Sequence, residues 1–263
     1  HLSTRRQRQM CIRDRHRTEY IPPDMSGVLR KMIISHKHKF IFVKTRKTAG
    51  TSLEIGLSEH CGAQDVITPI SPKDELLRAS LGFRGVQNHQ LPIGFFRRLE
   101  RSFAGRHTHY FNHMSAAKII RYVGEELWND YFTFTIEREP FGKAISSYYF
   151  RERKNHRSIE DYIADCSPHR LSNWGMYADE SGPRVDYIIR YENMAEGLEF
   201  LQSKLSLDKI TMPRAKSQFR KDRQHYSQVL NTQARRQIEV ICANEIRYFG
   251  YQWVDETQTR TAA

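Results

Sequence analysis

Cysteine is scarce in this sequence, and its spacing excludes the common scaffolds that cysteines build. The four cysteines are Cys11, Cys61, Cys166 and Cys242, and no two of them form a CxxC pair. Zinc sites and disulfide-stapled domains need closely and regularly spaced cysteines, so neither framework is expected. The pattern fits a reducing compartment. His107, His109 and His113 could suggest another kind of metal site, but no carboxylate pattern lies beside them, so no metal centre is expected.

Long apolar runs are also missing from the chain. No stretch approaches the ~20 consecutive apolar residues that a helix needs to cross a bilayer. The first residues contain no apolar segment of the kind found in secretory signals. The sequence therefore predicts no membrane span and a cytoplasmic location.

Acidic residues are fewer than basic ones. The chain has 30 Asp and Glu and 42 Lys and Arg, which gives a formal net charge of +12. This excess favours an acidic partner such as a nucleotide, a nucleic acid or a polyanionic substrate, although a solvated basic surface explains it equally well. Residues 1–20 hold six of the arginines. We interpret residues 1–30 as a disordered or extraneous basic extension, with an arm that touches nucleic acid as the alternative.

The remaining chain alternates short apolar runs with helical patterns. Strands are predicted within 39–44 (KFIFVK), 131–136 (YFTFTI) and 184–194 (RVDYIIRYENM). Helices are predicted at 115–128, from 141 to about 153, and at 158–166, 195–205 and 231–251, while 62–100 indicates loops with short helices. This order predicts one α/β domain over residues 31–255, with a mostly parallel central sheet flanked by helices and a flexible tail at 256–263.

The segment KTRKTAGTS (44–52) follows the first strand and leads into a helix. A helix amino end exposes unpaired N–H groups and a positive partial charge, which suit phosphate. Small residues let the backbone approach an anion closely, and Lys47 is placed to reach it. The order of residues differs from the nucleotide-binding pattern GxxxxGK[ST]. A capped helix with incidental cations is the alternative.

The segment REPFGKAISSYY (138–149) follows the second strand. Arg138 carries a planar fork of N–H donors that suits a phosphate monoester, and Ser146 can add a hydroxyl from the helix that starts after Pro140. The alternative is a surface arginine paired with Glu137 or Glu139, with Ser146 merely solvated.

Taken together, these two segments resemble the signature segments of sulfotransferases that use 3′-phosphoadenosine 5′-phosphosulfate, and most of all the carbohydrate 2-O-sulfotransferase-like group. The resemblance spans roughly residues 38–253 and implies a P-loop-like three-layer domain. It also implies in-line transfer of a sulfuryl group to a hydroxyl of a glycan or glycolipid, leaving adenosine 3′,5′-bisphosphate. The implied cofactor contacts are Arg46, Lys47, Thr48, Ala49, Gly50, Thr51 and Ser52 around the 5′-phosphosulfate, and Arg138 and Ser146 at the 3′-phosphate.

The chain departs from this family pattern at two positions. Arg46 stands where the family often has Pro, and Glu139 where it often has Asp or Asn. Neither change removes a proposed donor, but the first leaves the geometry of the loop open.

The resemblance also assigns a general base and a late basic loop. In GRHTHYFNHMSAAKII (105–120), His113 is the expected base and His109 the second candidate, while His107 is interpreted as a surface residue. Residues 212–228 hold five cations, of which Lys216 and Arg220 are expected to close over the 3′-phosphate. A solvated basic face is equally consistent with this segment.

Two other classes of function remain open from the sequence. A Mg²⁺-dependent P-loop kinase would use an acidic residue at a strand end to hold its metal, and Glu137 ends the second strand. A basic nucleic-acid-binding module fits the charge, but the chain contains no recognised nucleic-acid motif, so no nucleic acid is expected as a partner.

Overall fold

The computed structural model of the protein describes residues 32–89, 113–152, 157–213 and 224–255. It is an α/β fold in which helices flank a five-stranded mixed sheet. The strands of this sheet are β1 (Ile33–Ser35), β2 (Phe40–Val43), β3 (Val66–Ile67), β4 (Phe132–Glu137) and β7 (Tyr187–Arg190). A separate two-stranded sheet pairs β5 (Ala178–Asp179) with β6 (Gly182–Pro183). The extensions predicted at 1–30 and 256–263 lie outside the described residues.

The helices lie between and after the strands. They are α1 (Gly50–Ser58), α2 (Pro72–Ser80), α3 (Ala116–Val123), α4 (Glu125–Asp130), α5 (Pro140–Arg151), α6 (Ile159–Ala164), α7 (Pro168–Leu171), α8 (Trp174–Tyr177), α9 (Met194–Leu205), α10 (Tyr226–Val229), α11 (Thr232–Ile241) and α12 (Ala243–Phe249). Of these helices, α7, α8 and α10 were not predicted from the sequence. A 3₁₀ turn, Tyr191–Asn193, connects β7 to α9. Within the described residues, no helix is long and apolar enough to cross a membrane.

The sheet is mixed, so the prediction of a mostly parallel sheet is wrong. Its order is β3-β1-β2-β4-β7, in which β2–β4 and β4–β7 are parallel while β1–β2 and β1–β3 are antiparallel. The reason is a tight hairpin before β2, because antiparallel strands need only a short turn between them. Asp65 holds this turn, since its carboxylate accepts from the Ser35 hydroxyl and from the N–H groups of His36 and Lys37.

Helices cover both faces of the sheet. Alternate residues of β2 point to opposite sides, so Phe40 and Phe42 join one apolar cluster and Ile41 and Val43 join another. The first cluster is closed by α1 and α9, and the second by α3 and α8. A third cluster packs α5 against α6 and α11. The first two clusters therefore pack against opposite faces of β2.

Two predicted helices are interrupted. The segment predicted as 115–128 breaks at Gly124, whose φ of 90° an L side chain rarely adopts, and forms α3 and α4. The final predicted helix, 231–251, breaks at Cys242 and forms α11 and α12. Asn231 caps the first of these helices, since its Oδ1 accepts from the Ala234 N–H at 2.8 Å.

Gly56 tests the packing of α1 against the chain that follows α9. A Cβ at this position would lie 2.5 Å from the carbonyl oxygen of Thr211. Alanine normally stabilises a helix relative to glycine, but the clash reverses the sign here. We expect Gly56→Ala to lower the free energy of unfolding by about 1–3 kcal/mol in urea titrations, as overpacking does.

Gly175 is the matched control for this prediction. It also lies in a helix, and a Cβ there would meet nothing within 4 Å. Gly175→Ala should leave stability unchanged or raise it by up to about 1 kcal/mol. Equal effects of the two substitutions would contradict the close approach of α1 to Thr211.

Candidate functional site

The candidate site lies where three parallel strands end. The β2–β4 and β4–β7 pairs are in parallel register, with Val43 opposite Thr135 and Glu137 opposite Arg190. Their carboxyl ends therefore meet at one edge of the sheet. In open α/β sheets, ligands bind in the crevice outside this edge. The loop after β2, the Arg138 turn and the 3₁₀ turn after β7 all start here.

The loop at residues 44–49, which we call the anion loop, is tied to the end of β4. The Thr45 hydroxyl donates to the carbonyl oxygen of Ile136, and it lies 2.9 Å from the Thr48 hydroxyl. Both threonines are buried. This contact joins residues 91 positions apart and places the anion loop beside the Arg138 turn.

The backbone of the anion loop is unusual. Lys47 and Ala49 have φ angles of 63° and 62°, in the left-handed region that L residues enter at a cost of about 1–3 kcal/mol. Ala49 is the amino-terminal cap of α1, and its methyl group cannot accept a hydrogen bond. The first turn of α1 contains no acidic residue, so no side-chain carboxylate of that turn neutralises its positive end.

Lys44 is the first residue of the anion loop, and its side chain points into the core. Its ammonium lies 2.8 Å from Glu54 and 2.9 Å from the Thr51 hydroxyl, and its exposed fraction is 3%. Gly50 makes room for it, because a Cβ there would lie 2.9 Å from Lys44 Cγ. Of the three cations in this segment, Lys44, Arg46 and Lys47, the first forms a buried ion pair that stabilises the fold.

The other side chains of the anion loop take up different positions. The Arg46 guanidinium donates to the His169 carbonyl at 3.2 Å and contacts the sulfur of Met176 at 3.0 Å. Burial, with a further contribution from nearby Arg151, lowers the Arg46 pKa from its usual value. The Thr48 and Thr51 hydroxyls have the protein partners described above. These two threonines could therefore meet a ligand through their backbone N–H groups.

Arg138 and Glu139 have separate tasks at the end of β4. The Arg138 guanidinium lies over the ring of Tyr191, 4.3 Å from its centroid. The Glu139 carboxylate caps α5 by accepting from the N–H groups of Phe141 at 2.8 Å and Gly142 at 2.5 Å. Burial raises the pKa of Glu139, although the Arg138 charge and these bonds act in the opposite direction.

One face of α5 connects Arg138 to Lys47. Gly142, Ser146 and Phe150 are spaced four residues apart and share that face. At one end, a Cβ on Gly142 would lie 3.3 Å from Arg138 Nη2. At the other end, the Lys47 ammonium lies 4.2 Å from the centre of the Phe150 ring. Half-buried Ser146 sits between them, and eight residues of helix span about 12 Å.

His113 is held beside the start of the anion loop. Its Nδ1 lies 3.0 Å from the Lys44 carbonyl oxygen. A carbonyl can only accept, so Nδ1 carries the proton and Nε2 is the basic nitrogen of the neutral ring. Its φ of 53° is also in the left-handed region. His109, the second candidate base, and Lys216 and Arg220 of the late basic loop lie outside the described residues, as does His107.

A buried ionic cluster underlies the site, and sequence reasoning missed it. Lys143 lies 2.8 Å from Glu137 and 3.5 Å from Glu245, and all three side chains are essentially unexposed. Burial raises the pKa of Glu137, while Lys143 opposes that shift; Lys143 itself has a raised pKa despite its burial, because of the two carboxylates. Asn173 joins the same cluster through Glu137. No local motif signals a contact between positions 143 and 245.

Comparison with known proteins places the chain beside an archaeal relative. Over 100 residues it is 30% identical to a protein of Archaeoglobus fulgidus named "Uncharacterized protein", a match that covers 36% of this chain and 83% of the relative. This chain belongs to the same family as that protein. The relative's name states no activity, so membership of this family carries no functional argument. No family model matches the sequence, and no solved structure matches it.

The buried ion pair between Lys44 and Glu54 can be tested by substitution. Lys44→Met would leave the Glu54 carboxylate buried without its nearest cation. We expect the free energy of unfolding to fall by about 3 kcal/mol in urea titrations, as when one partner of a buried ion pair is removed. Adding Glu54→Gln should recover part of the loss. An unchanged stability would contradict the inward position of Lys44.

Proposed function

We propose that the protein is a sulfotransferase that transfers the sulfuryl group of 3′-phosphoadenosine 5′-phosphosulfate to a hydroxyl, on a glycan or glycolipid. The observation that carries the proposal is the shared face of α5, with the Arg138 guanidinium near one end, the Lys47 ammonium at the other and the Ser146 side chain between them. Two separated cations on one helix face suit a nucleotide with an anionic group at each end.

The chemistry of the donors agrees with such a nucleotide. The amino end of α1 offers N–H groups and a positive partial charge, and small residues from Thr48 to Ser52 allow close approach of an anion. These groups and Lys47 would hold the 5′-phosphosulfate. Arg138, whose fork can bind two phosphate oxygens at once, and Ser146 would hold the 3′-phosphate. When bound, the nucleotide supplies an activated sulfuryl group.

The protein's own residues contribute positioning, charge and a base. Lys47 and the N–H groups of α1 would stabilise negative charge on the leaving phosphate, the kind of electrostatic contribution that dominates many group transfers. Nε2 of His113 would accept the proton of the acceptor hydroxyl, because the Lys44 carbonyl holds the other nitrogen protonated. Alignment of the acceptor with the transferred group supplies the rest.

The main alternative function for the carboxyl-terminal edge of the sheet is that of a Mg²⁺-dependent kinase. Such a kinase needs an acidic side chain directed at a metal beside the phosphates. The Glu137 carboxylate at the end of β4 instead accepts from Lys143 Nζ and the Arg138 N–H, both at 2.8 Å. It is fully buried. These contacts favour sulfuryl transfer over the kinase as the interpretation of this strand end.

Ligand preference tests the proposal. Thermal unfolding is measured with adenosine 3′,5′-bisphosphate, AMP, ADP, and ATP with Mg²⁺. At a hundred times its Kd, a ligand that binds only the folded protein adds about 2.7 kcal/mol of stability. The bisphosphate should stabilise most, because it alone of the four carries both a 3′- and a 5′-phosphate. Strongest stabilisation by ATP with Mg²⁺ would overturn the proposal in favour of a kinase.

No stabilisation by any of these nucleotides would also overturn it. Binding to single- or double-stranded nucleic acid that weakens steeply with salt would then identify the basic binding module as the better description. The acceptor is sought afterwards, by following transfer of labelled sulfate to glycan and glycolipid mixtures.

Substitutions separate the roles of the proposed residues. Lys47→Ala and His113→Ala should each reduce turnover at least about a hundredfold, since one removes an electrostatic donor and the other the base. Arg138→Ala should mainly weaken binding of the bisphosphate. Normal turnover in His113→Ala would move the base to another residue, with His109 the next to test.

Arg190 provides a matched control for Arg138. It ends the neighbouring parallel strand, and its guanidinium also stacks on a tyrosine, 5.0 Å from the ring centre of Tyr251. Arg190→Ala should leave the Kd for the bisphosphate unchanged. If the two arginine variants weaken binding equally, net charge rather than a phosphate contact explains the loss, and the assignment of Arg138 is wrong.

A further inference from the structure

Asn173 pairs with the main chain of the anion loop. Its side-chain oxygen accepts from the Arg46 N–H at 3.1 Å, and its side-chain nitrogen donates to the Arg46 carbonyl at 3.0 Å. The residue is 1% exposed. One carboxamide thus satisfies both backbone groups of the residue that precedes Lys47, as a neighbouring β-strand would.

The orientation of this carboxamide is fixed by its surroundings. Its nitrogen also donates to Glu137 Oε1 at 3.3 Å, and its backbone N–H donates to Glu245 Oε1 at 2.8 Å. Lys143 bridges the two carboxylates from below. An amide turned the other way would set its oxygen against a carboxylate and a carbonyl, so the pattern of donors and acceptors admits one orientation.

The pairing with Asn173 explains how the loop keeps its geometry with arginine rather than proline at position 46. Proline, which the resembling family often has at this position, fixes φ and carries no N–H. Arginine adds a half-buried N–H that needs an acceptor and removes the restriction on φ. The next residue, Lys47, holds a left-handed conformation that the rest of the structure must impose. Asn173 supplies both the acceptor and the restraint.

We propose that Asn173 is a positioning residue that holds the anion loop in the conformation in which Lys47 and the amino end of α1 face the nucleotide. This inference rests on the proposed function for its consequence in catalysis, while its effect on the loop is independent of any ligand. Asn173 touches neither reacting group and acts through Arg46.

Trypsin provides a readout that needs no nucleotide. It cleaves after arginine and lysine, so cutting after Arg46 and Lys47 reports opening of the anion loop, and mass spectrometry assigns each cut. We expect Asn173→Ala to accelerate these two cuts at least about tenfold under native conditions. In the unaltered protein, the Arg46 amide hydrogen should exchange slowly, which can be measured even if the variant fails to fold.

Ser147→Ala is the matched control. Ser147 is a buried polar residue of α5, and its hydroxyl lies 2.7 Å from that of Tyr162 in α6. Its loss should lower global stability without accelerating the cuts after Arg46 and Lys47. Equal acceleration in both variants, or fast exchange of the Arg46 amide, would overturn the proposal.

A double-mutant cycle with Lys47 tests the catalytic consequence. If Asn173 acts by placing Lys47, then Asn173→Ala should lower turnover about tenfold in the unaltered protein and much less in the Lys47→Ala background. Independent, multiplying effects would indicate a merely structural role and contradict the inference. Faster cleavage of the loop in a protein that binds no adenosine 3′,5′-bisphosphate would reject the proposed function alone.

Discussion

The parallel pairing of β2 with β4 is the interaction on which the candidate site depends. Lys47 and Arg138 are far apart in the sequence, and only a parallel register brings the two strand ends to one edge. The bond from Thr45 to the Ile136 carbonyl extends this pairing beyond the last ladder residues. If the strands were antiparallel, the amino end of α1 and the Arg138 guanidinium would lie at opposite edges, too far apart for one nucleotide to contact both.

The cations near this edge fall into two groups with different partners. Lys44 and Lys143 are buried against carboxylates, which offset the cost of removing them from water and hold strands to helices. Lys47 and Arg138 are half-buried and lie over the rings of Phe150 and Tyr191. A ring orients a cation through its electron-rich face. Buried carboxylates therefore hold the first group, whereas aromatic rings lie beneath the second.

Local patterns in the sequence were sufficient for the elements that frame the site. The apolar runs predict β2, β4 and β7, and helical spacing predicts α5 and α9, because each signal is contained within one element. The three-residue strand β1 escaped this reasoning: it is too short to show alternation, and its antiparallel pairing made the sheet mixed. The inward turn of Lys44 and the pairing of Asn173 with Arg46 also escaped, since their partners lie in other elements, in the second case 127 positions away.

Both positions at which the chain differs from the sulfotransferase pattern make hydrogen bonds near the candidate site. Glu139 stands where that pattern often has the shorter Asp or Asn, and its carboxylate caps α5. Arg46 stands where the pattern often has proline, and Asn173 pairs with both of its backbone groups. The cap formed by Glu139 has an electrostatic consequence. Because Glu139 occupies the positive end of α5, that helix offers little to an incoming anion. Under the proposed function, the attraction for the two separated charges of the nucleotide therefore comes from α1, Lys47 and Arg138.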